Sequence, residues 1–425
     1  MQDQGDGRAW AGAGVKASFE APLRAWENDF GHMLAYEGCR LRVRSGSRSY
    51  IGAAVHVAIG RNRRLLRTVE RLYLDHAATT PIVPEARAAV AAAMDDWANP
   101  SSPHADGRRS RAAFEEARRT IASALGWRHD VILTSGASEA IQIVAARAKR
   151  PGRMVGPTEH EAVIAAMGGD AAVLTVDANG LIDLGSLEAE LAKGPALIAL
   201  QLVNNETGVI QPIEQIQAMA RDAGSLLLCD CAQGAGKILL PDADFIAVSG
   251  HKLGGPPGIG ALLVRDLAML EPSGGQERGY RRGTENGPAA AGLAAALASR
   301  AFADAMPRLQ ELRALLEDEI TSAGGQVIAA GAPRTATIGA YAMPGVASAS
   351  QLIQFDLAGI SVSAGSACSS GSMKASRVLG AMGVPEALAV SVVRVSFGPA
   401  TRDHDVERFI AEWRRIASRA KAEAA

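Results

Sequence analysis

A chain of 425 residues in which 48% of positions are hydrophobic is long enough for one large or two moderate cores, and reads as an ordinary globular protein of two domains. Its 44 Lys and Arg against 45 Asp and Glu give a formal charge of −1, which excludes the one-signed field that draws a protein to nucleic acid or an anionic membrane. A small molecule or another protein is the expected partner, and four cysteines with no paired framework, Cys39, Cys229, Cys231 and Cys368, point to a reducing compartment where a functional thiol acts as a thiol.

Residues 1–71 open with glycines and end rich in arginine (Arg61, Arg63, Arg64, Arg67, Arg71). An organelle-targeting peptide is also Arg-rich but avoids acids, and Asp3, Asp6, Glu20, Glu27, Asp29 and Glu37 argue against one. The segment is expected to be a poorly ordered extension or an over-long gene start. The longest apolar run, Tyr50 to Gly60, is about half of the roughly 20 residues a membrane helix needs, so a cytoplasmic protein is expected.

From Leu72 onward short apolar runs alternate with helix-period stretches. Val131–Thr134, Met154–Val155, Val173–Val176, Leu197–Val203, Leu226–Cys229, Phe245–Val248 and Gly260–Val264 read as strands, with helical segments such as Ser138–Lys149 and Ile213–Ala223 between them. Such alternation predicts an α/β fold with a mostly parallel sheet, in which ligands collect at the C-terminal ends of the strands. An alanine-rich helical stretch from about Pro288 through Ala323 gives way, after Gly324-Gly325, to the strand-like runs Thr337–Met343 and Val392–Phe397. The predicted organisation is a segment 72–98 packing on the small domain, a large domain over 99–323 and a smaller α+β domain over 324–425.

The polar residues just after the apolar runs carry the candidate chemistry. Lys252 in SGHKLGGPPGIG sits in a Gly/Pro-rich turn at a strand end, where desolvation lowers an amine pKa toward the nucleophilic range; a loop lysine that merely ends a strand is the equal alternative. Asp230 in LLLCDCAQGAGK is either a sheet-end cap or the carboxylate that keeps a pyridinium nitrogen protonated. Ser135 to Ser138 in LTSGASEA follow a strand and open a helix, as an N-cap or a phosphate cradle. His160 in TEHEAV and the amides of NNETG, Asn204 to Gly208, are a histidine and a turn that also fit a ring-binding site.

Taken in order, YLDHAATTP, NPSSPHADGR, TSGASEA, EHEAV, NNETGVIQP, the run Asp230-Cys231-Ala232-Gln233, SGHKLGGPPGIGAL, GGQERGYRRGTEN, SAGSACSSGS and VRVSFG resemble the successive signature motifs of cysteine desulfurases. The resemblance runs from about Tyr73 to beyond Thr401. It implies a fold-type I pyridoxal-phosphate enzyme of the class V aminotransferase group, a homodimer that converts L-cysteine to L-alanine and passes the sulfur on as an enzyme persulfide. Carried over by position, Lys252 would hold the cofactor, Asp230 pair its pyridinium nitrogen, and Gln233 and Asn205 contact its ring oxygen. Ala137, Ser138, Ser249 and His251 would hold its phosphate, together with Thr284 of the partner subunit. His160 would stack on the ring and exchange protons with the substrate, Arg394 bind the substrate carboxylate with Asn205 nearby, and Cys368 accept the sulfur.

Ser138 stands where the family often has threonine, and Cys231 where it usually has a small apolar or hydroxyl residue, so Cys231 is expected to pack rather than react. Cys229 and Cys231 have the wrong spacing for a zinc pair, and no metal site is expected. The small, polar stretch Ile360 to Ser376 predicts a mobile loop carrying Cys368, resembling the longer-loop branch that feeds iron-sulfur scaffolds. The related class V aminotransferases and selenocysteine lyases are the alternative; they share Lys252, Asp230 and Arg394.

Overall fold

A computed structural model of the chain describes residues 71–365 and 376–424. The N-terminal extension and the segment bearing Cys368 lie outside the described residues.

After the short strand β1 (Leu72–Tyr73), the chain builds a seven-stranded sheet from β2 (Asp130–Thr134), β3 (Gly152–Val155), β4 (Ala172–Val173), β5 (Ala196–Gln201), β6 (Leu226–Asp230), β7 (Phe245–Ser249) and β8 (Gly260–Val264). Their spatial order is β2-β8-β7-β6-β5-β3-β4, and only β8 runs against the rest. β5, β6, β7 and β8 are buried at every position, as strands covered by helices on both faces must be, which is why they read as unbroken apolar runs. Parallel pairing sets Gln201 opposite Asp230, and Asp230 opposite Ala247 two residues before Ser249. The polar residues that end the central strands therefore arrive at one edge of the sheet.

Two apolar clusters sandwich this sheet. One includes Phe114, Ile121, Ile198, Ile213, Ile246 and Leu293; the other, on the opposite face, includes Ile141, Val144, Leu197, Phe245 and Leu262. A further core lies under an antiparallel sheet of β9 (Gln326–Val327), β10 (Ile338–Ala342) and β12 (Val392–Ser396), ordered β12-β10-β9. β11 (Ile360–Ser361) pairs in parallel with β1, so Leu72 and Leu74 from the start of the fold join that core. Helix Ala301–Ser322 gives it Leu309, Leu312, Leu316 and Ile320, and helix Asp403–Ala424 gives it Phe409 and Trp413.

The alanine-rich stretch expected as one helix is two. Helix Gly287–Ala298, started by Asn286 accepting from Ala289 N at 3.1 Å, ends at Ser299, and Arg300 turns the chain at φ 54° before helix Ala301–Ser322 begins. A left-handed arginine has no local sequence signal, because that conformation is normally glycine's. The break lets the first helix pack on the large sheet and the second on the other core.

Phe409 stacks on Phe355 with ring centroids 4.9 Å apart, beside Trp413 at 6.0 Å, and all three are buried. Phe409→Ala removes the middle ring and leaves a cavity. The expected loss is about 3–5 kcal/mol in chemical denaturation; a loss below about 1 kcal/mol would contradict this packing.

Candidate active site

A cavity of about 490 Å³ opens at the C-terminal ends of the central strands. Ala137, Ser138, His160, Asn205, Asp230, Ser249, His251, Lys252 and Arg394 all line it, brought together from six stretches of the sequence. Gln233 and Thr284 do not line it: Gln233 is buried just behind the lining residue Ala232, and Thr284 is exposed.

The cradle end is set by backbone. Helix Ala137–Arg147 starts directly after β2, so the N–H groups of its first turn face the cavity beside the Ser138 hydroxyl. Gly260 on β8 makes room for that start, since a Cβ there would come within 2.6 Å of Gly136 Cα and also collide with the Val248 carbonyl. Glu139 Oε2 accepts from Ser135 N at 2.5 Å, and its Oε1 meets Arg281 at 3.0 Å. Arg281 belongs to the Gly274–Asn286 motif, whose Glu277 sits at φ 50°. A buried ion pair compensates that backbone strain: Arg118 grips both Glu277 oxygens at 2.6 and 3.0 Å, and Leu133 N donates to Glu277 Oε2 at 2.9 Å.

At the ring-binding end, Asp230 is buried and its Oδ1 accepts from Ala232 N at 2.9 Å. His160 caps helix Glu161–Met167, its Nδ1 accepting from Ala162 N at 3.2 Å. That bond leaves the proton of the neutral ring on Nε2. Burial first, and then the charge of Lys252, hold the His160 pKa below the usual histidine range, so the ring is neutral at neutral pH. His251 is lowered by the same two causes in the same order, with Lys237 adding to them.

Arg394 is 2% exposed and reaches the cavity from β12. Its guanidinium donates to Asp75 at 2.8 Å and to the Asn205 carbonyl at 3.0 Å, while its buried Nε has no partner among the described residues. A guanidinium oriented in this way on the cavity wall is suited to a carboxylate.

Four further residues shape the site without having been singled out in the sequence. Asp75 orients Arg394. Glu206 accepts from Ser376 Oγ at 2.6 Å, and burial raises its pKa. Glu159 accepts from Gln201 N at 3.1 Å beneath the His160 turn, and burial lifts its pKa well above the carboxylate range. Lys237 is a buried amine whose Nζ lies 3.4 Å from Gln233 Oε1 and 4.8 Å from the centre of the Phe302 ring. The motifs NNETG and TEHEAV contained two of these, but nothing local distinguishes a buried acid from a turn residue. Cys229 and Cys231 pack sulfur to sulfur at 3.6 Å in the core, where burial pushes the Cys229 thiol up, away from reactivity.

Residues 72–409 match the family described as aminotransferase class-V. A cysteine desulfurase of Gluconacetobacter diazotrophicus is 36% identical over 368 residues, covering 80% of this chain and 91% of that protein. Among solved structures, a NifS-like protein from Rickettsia africae superposes with a TM-score of 0.76 at 30% identity, covering 82% of this chain and 99% of its own. A structure titled SspA in complex with cysteine matches at a TM-score of 0.68 and 30% identity, over 78% of this chain and 99% of that one. The chain thus belongs to the class-V aminotransferases, whose fold-type I architecture the seven-stranded sheet reproduces. Within that family it is a pyridoxal-phosphate-dependent cysteine desulfurase.

The cavity suits pyridoxal phosphate by its own chemistry. It offers helix-start N–H groups and the Ser138 and Ser249 hydroxyls for an anion, a carboxylate for a ring nitrogen, and an amine for an aldehyde.

Lys237 makes stability depend on pH in a definite direction. Burial, and secondarily the charge of Lys252, brings its pKa from 10.5 down to about 7. Between those values the unfolded chain holds a proton that the folded chain lacks, so raising the pH from about 7 toward about 10 stabilises the fold. Denaturant midpoints over that range are expected to fall more steeply toward pH 7 for the natural chain than for Lys237→Met. Equal slopes would contradict a buried, deprotonating Lys237.

Proposed function

We propose that Lys252 carries the cofactor through Nζ, with Asp230 on the ring nitrogen, Asn205 and Gln233 on the ring oxygen and His160 against the ring face. Ala137, Ser138, Ser249 and His251 hold the phosphate, with Thr284 of the partner subunit. Exposure of Thr284 outside the chain's own cavity supports a homodimer in which each subunit completes the other's site.

The observation that carries this reading is that Arg394, oriented by Asp75 and the Asn205 carbonyl, lines the same cavity as Lys252. Arg394 takes the carboxylate of L-cysteine and fixes its Cα near Lys252 Nζ, which removes the Cα proton. When bound, pyridoxal phosphate supplies the electron sink that makes this proton removable. His160, neutral with its proton on Nε2, donates a hydrogen bond toward the substrate sulfur, while Lys252, which has taken the Cα proton on Nζ, is the group that returns a proton to carbon. The Cys368 thiolate then bonds to that sulfur as the carbon–sulfur bond breaks, its electron pair remaining on carbon, which is protonated. Cysteine and an enzyme thiol thereby become alanine and an enzyme persulfide, with no external oxidant or reductant. A sulfur-acceptor protein of iron-sulfur or thio-cofactor assembly, in the cytoplasm, is the proposed destination.

Arg394→Lys keeps the charge but loses the planar fork, and is expected to raise KM for cysteine about tenfold or more while cofactor absorbance is retained. Cys368→Ala is expected to keep cofactor and cysteine binding yet abolish persulfide formation, as read by peptide mass. A Cys368→Ala protein that released alanine at the natural rate would instead support the class V aminotransferase reading, in which no enzyme thiol is required.

A further inference from the structure

A buried amine one turn along the chain from Gln233 does not belong to any step above. Lys237 is 5% exposed, and its polar contact recorded among the described residues is Gln233 Oε1 at 3.4 Å, with the Phe302 ring 4.8 Å from Nζ on another side. Burying this side chain without a carboxylate is costly, so a sequence retains it against a penalty.

Gln233 shows what the amine does locally. A carboxamide has two ends of nearly one shape but opposite hydrogen-bonding sense. Here Nε2 donates to the Ala77 carbonyl at 2.8 Å and Oε1 faces Lys237. The turn that joins β6 to this region makes the pairing possible: Gly234 and Ala235 donate to the Cys231 carbonyl, and Lys237 and Ile238 to the Gly234 carbonyl, so residues 233 and 237 stand one turn apart. The amide is thus held at both ends, and the second N–H of Nε2 has no recorded acceptor among the described residues. Without Lys237, Oε1 would be buried with no donor, and the amide would be held at its Ala77 end alone.

We propose that Lys237 is a positioning residue for the cofactor, fixing the Gln233 carboxamide so that it meets the ring oxygen as a donor and never as an acceptor. This rests on the reading that Gln233 contacts that oxygen. Lys237 itself touches neither cofactor nor substrate.

A double-mutant cycle on the full chain tests the coupling. Apoprotein of the natural chain, Lys237→Met, Gln233→Ala and the double variant is titrated with pyridoxal phosphate, and the dissociation constant and visible spectrum are recorded across neutral pH. Lys237→Met is expected to weaken binding roughly three- to tenfold, as loss of one oriented hydrogen bond would, and to shift the pH midpoint of the visible band. In the Gln233→Ala background the same substitution is expected to change neither. Equal effects in both backgrounds, or none in either, would overturn the proposal and leave the Gln233 contact standing. A Gln233→Ala protein that binds the cofactor as the natural chain does would overturn that contact, and the proposal with it. Should Lys237→Met not fold, Lys237→Gln is carried through the same cycle and read by the same outcomes.

Discussion

Everything at the site depends on the register of a parallel sheet. Because β5, β6 and β7 run side by side in one direction, with Gln201 opposite Asp230 and Asp230 opposite Ala247, their polar ends stop at the same level. The antiparallel β8 then returns through Gly260, which lies too close to Gly136 for a side chain. That contact sets the helix start that receives an anion against the strand ends that receive a ring. A slip of one residue in β6 would turn Asp230 into the core and exchange it for a cysteine.

A second constraint ties this edge to the C-terminal core. The stretch from Tyr73 to Thr80 runs between them: Ala77 N donates to Ser396 Oγ at 2.9 Å, Thr80 N to the His251 carbonyl at 2.8 Å, and Asp75 pairs with Arg394. Arg394 is thus oriented in a nearly dry position by its ion pair with Asp75 and its bond to the Asn205 carbonyl.

Much of the sheet was legible in the sequence because strands buried on both faces are written as continuous apolar runs, and most site residues were legible because each follows one of those runs. The resemblance to cysteine desulfurases supplied the order in which those residues combine. The rest was hidden for physical reasons. β1 and β11 are two residues each and exist only because they pair with one another. The break at Arg300 uses a conformation its residue type does not announce. Asp75 meets Arg394 across 319 residues, and Lys237 is remarkable only for its burial, which composition cannot report. The assignment of cofactor and substrate contacts to individual side chains is a proposal drawn from the resemblance and supported by the cavity that most of these residues share, with Cys368 outside the described residues.

Reductive trapping with borohydride tests the central claim most directly, because it asks which amine holds the cofactor. The purified protein, saturated with pyridoxal phosphate, is reduced and digested, and its peptides are mapped by mass. The account predicts the pyridoxyl increment on the peptide containing Lys252 and none on the one containing Lys237. Label on Lys237, or on neither, would contradict it.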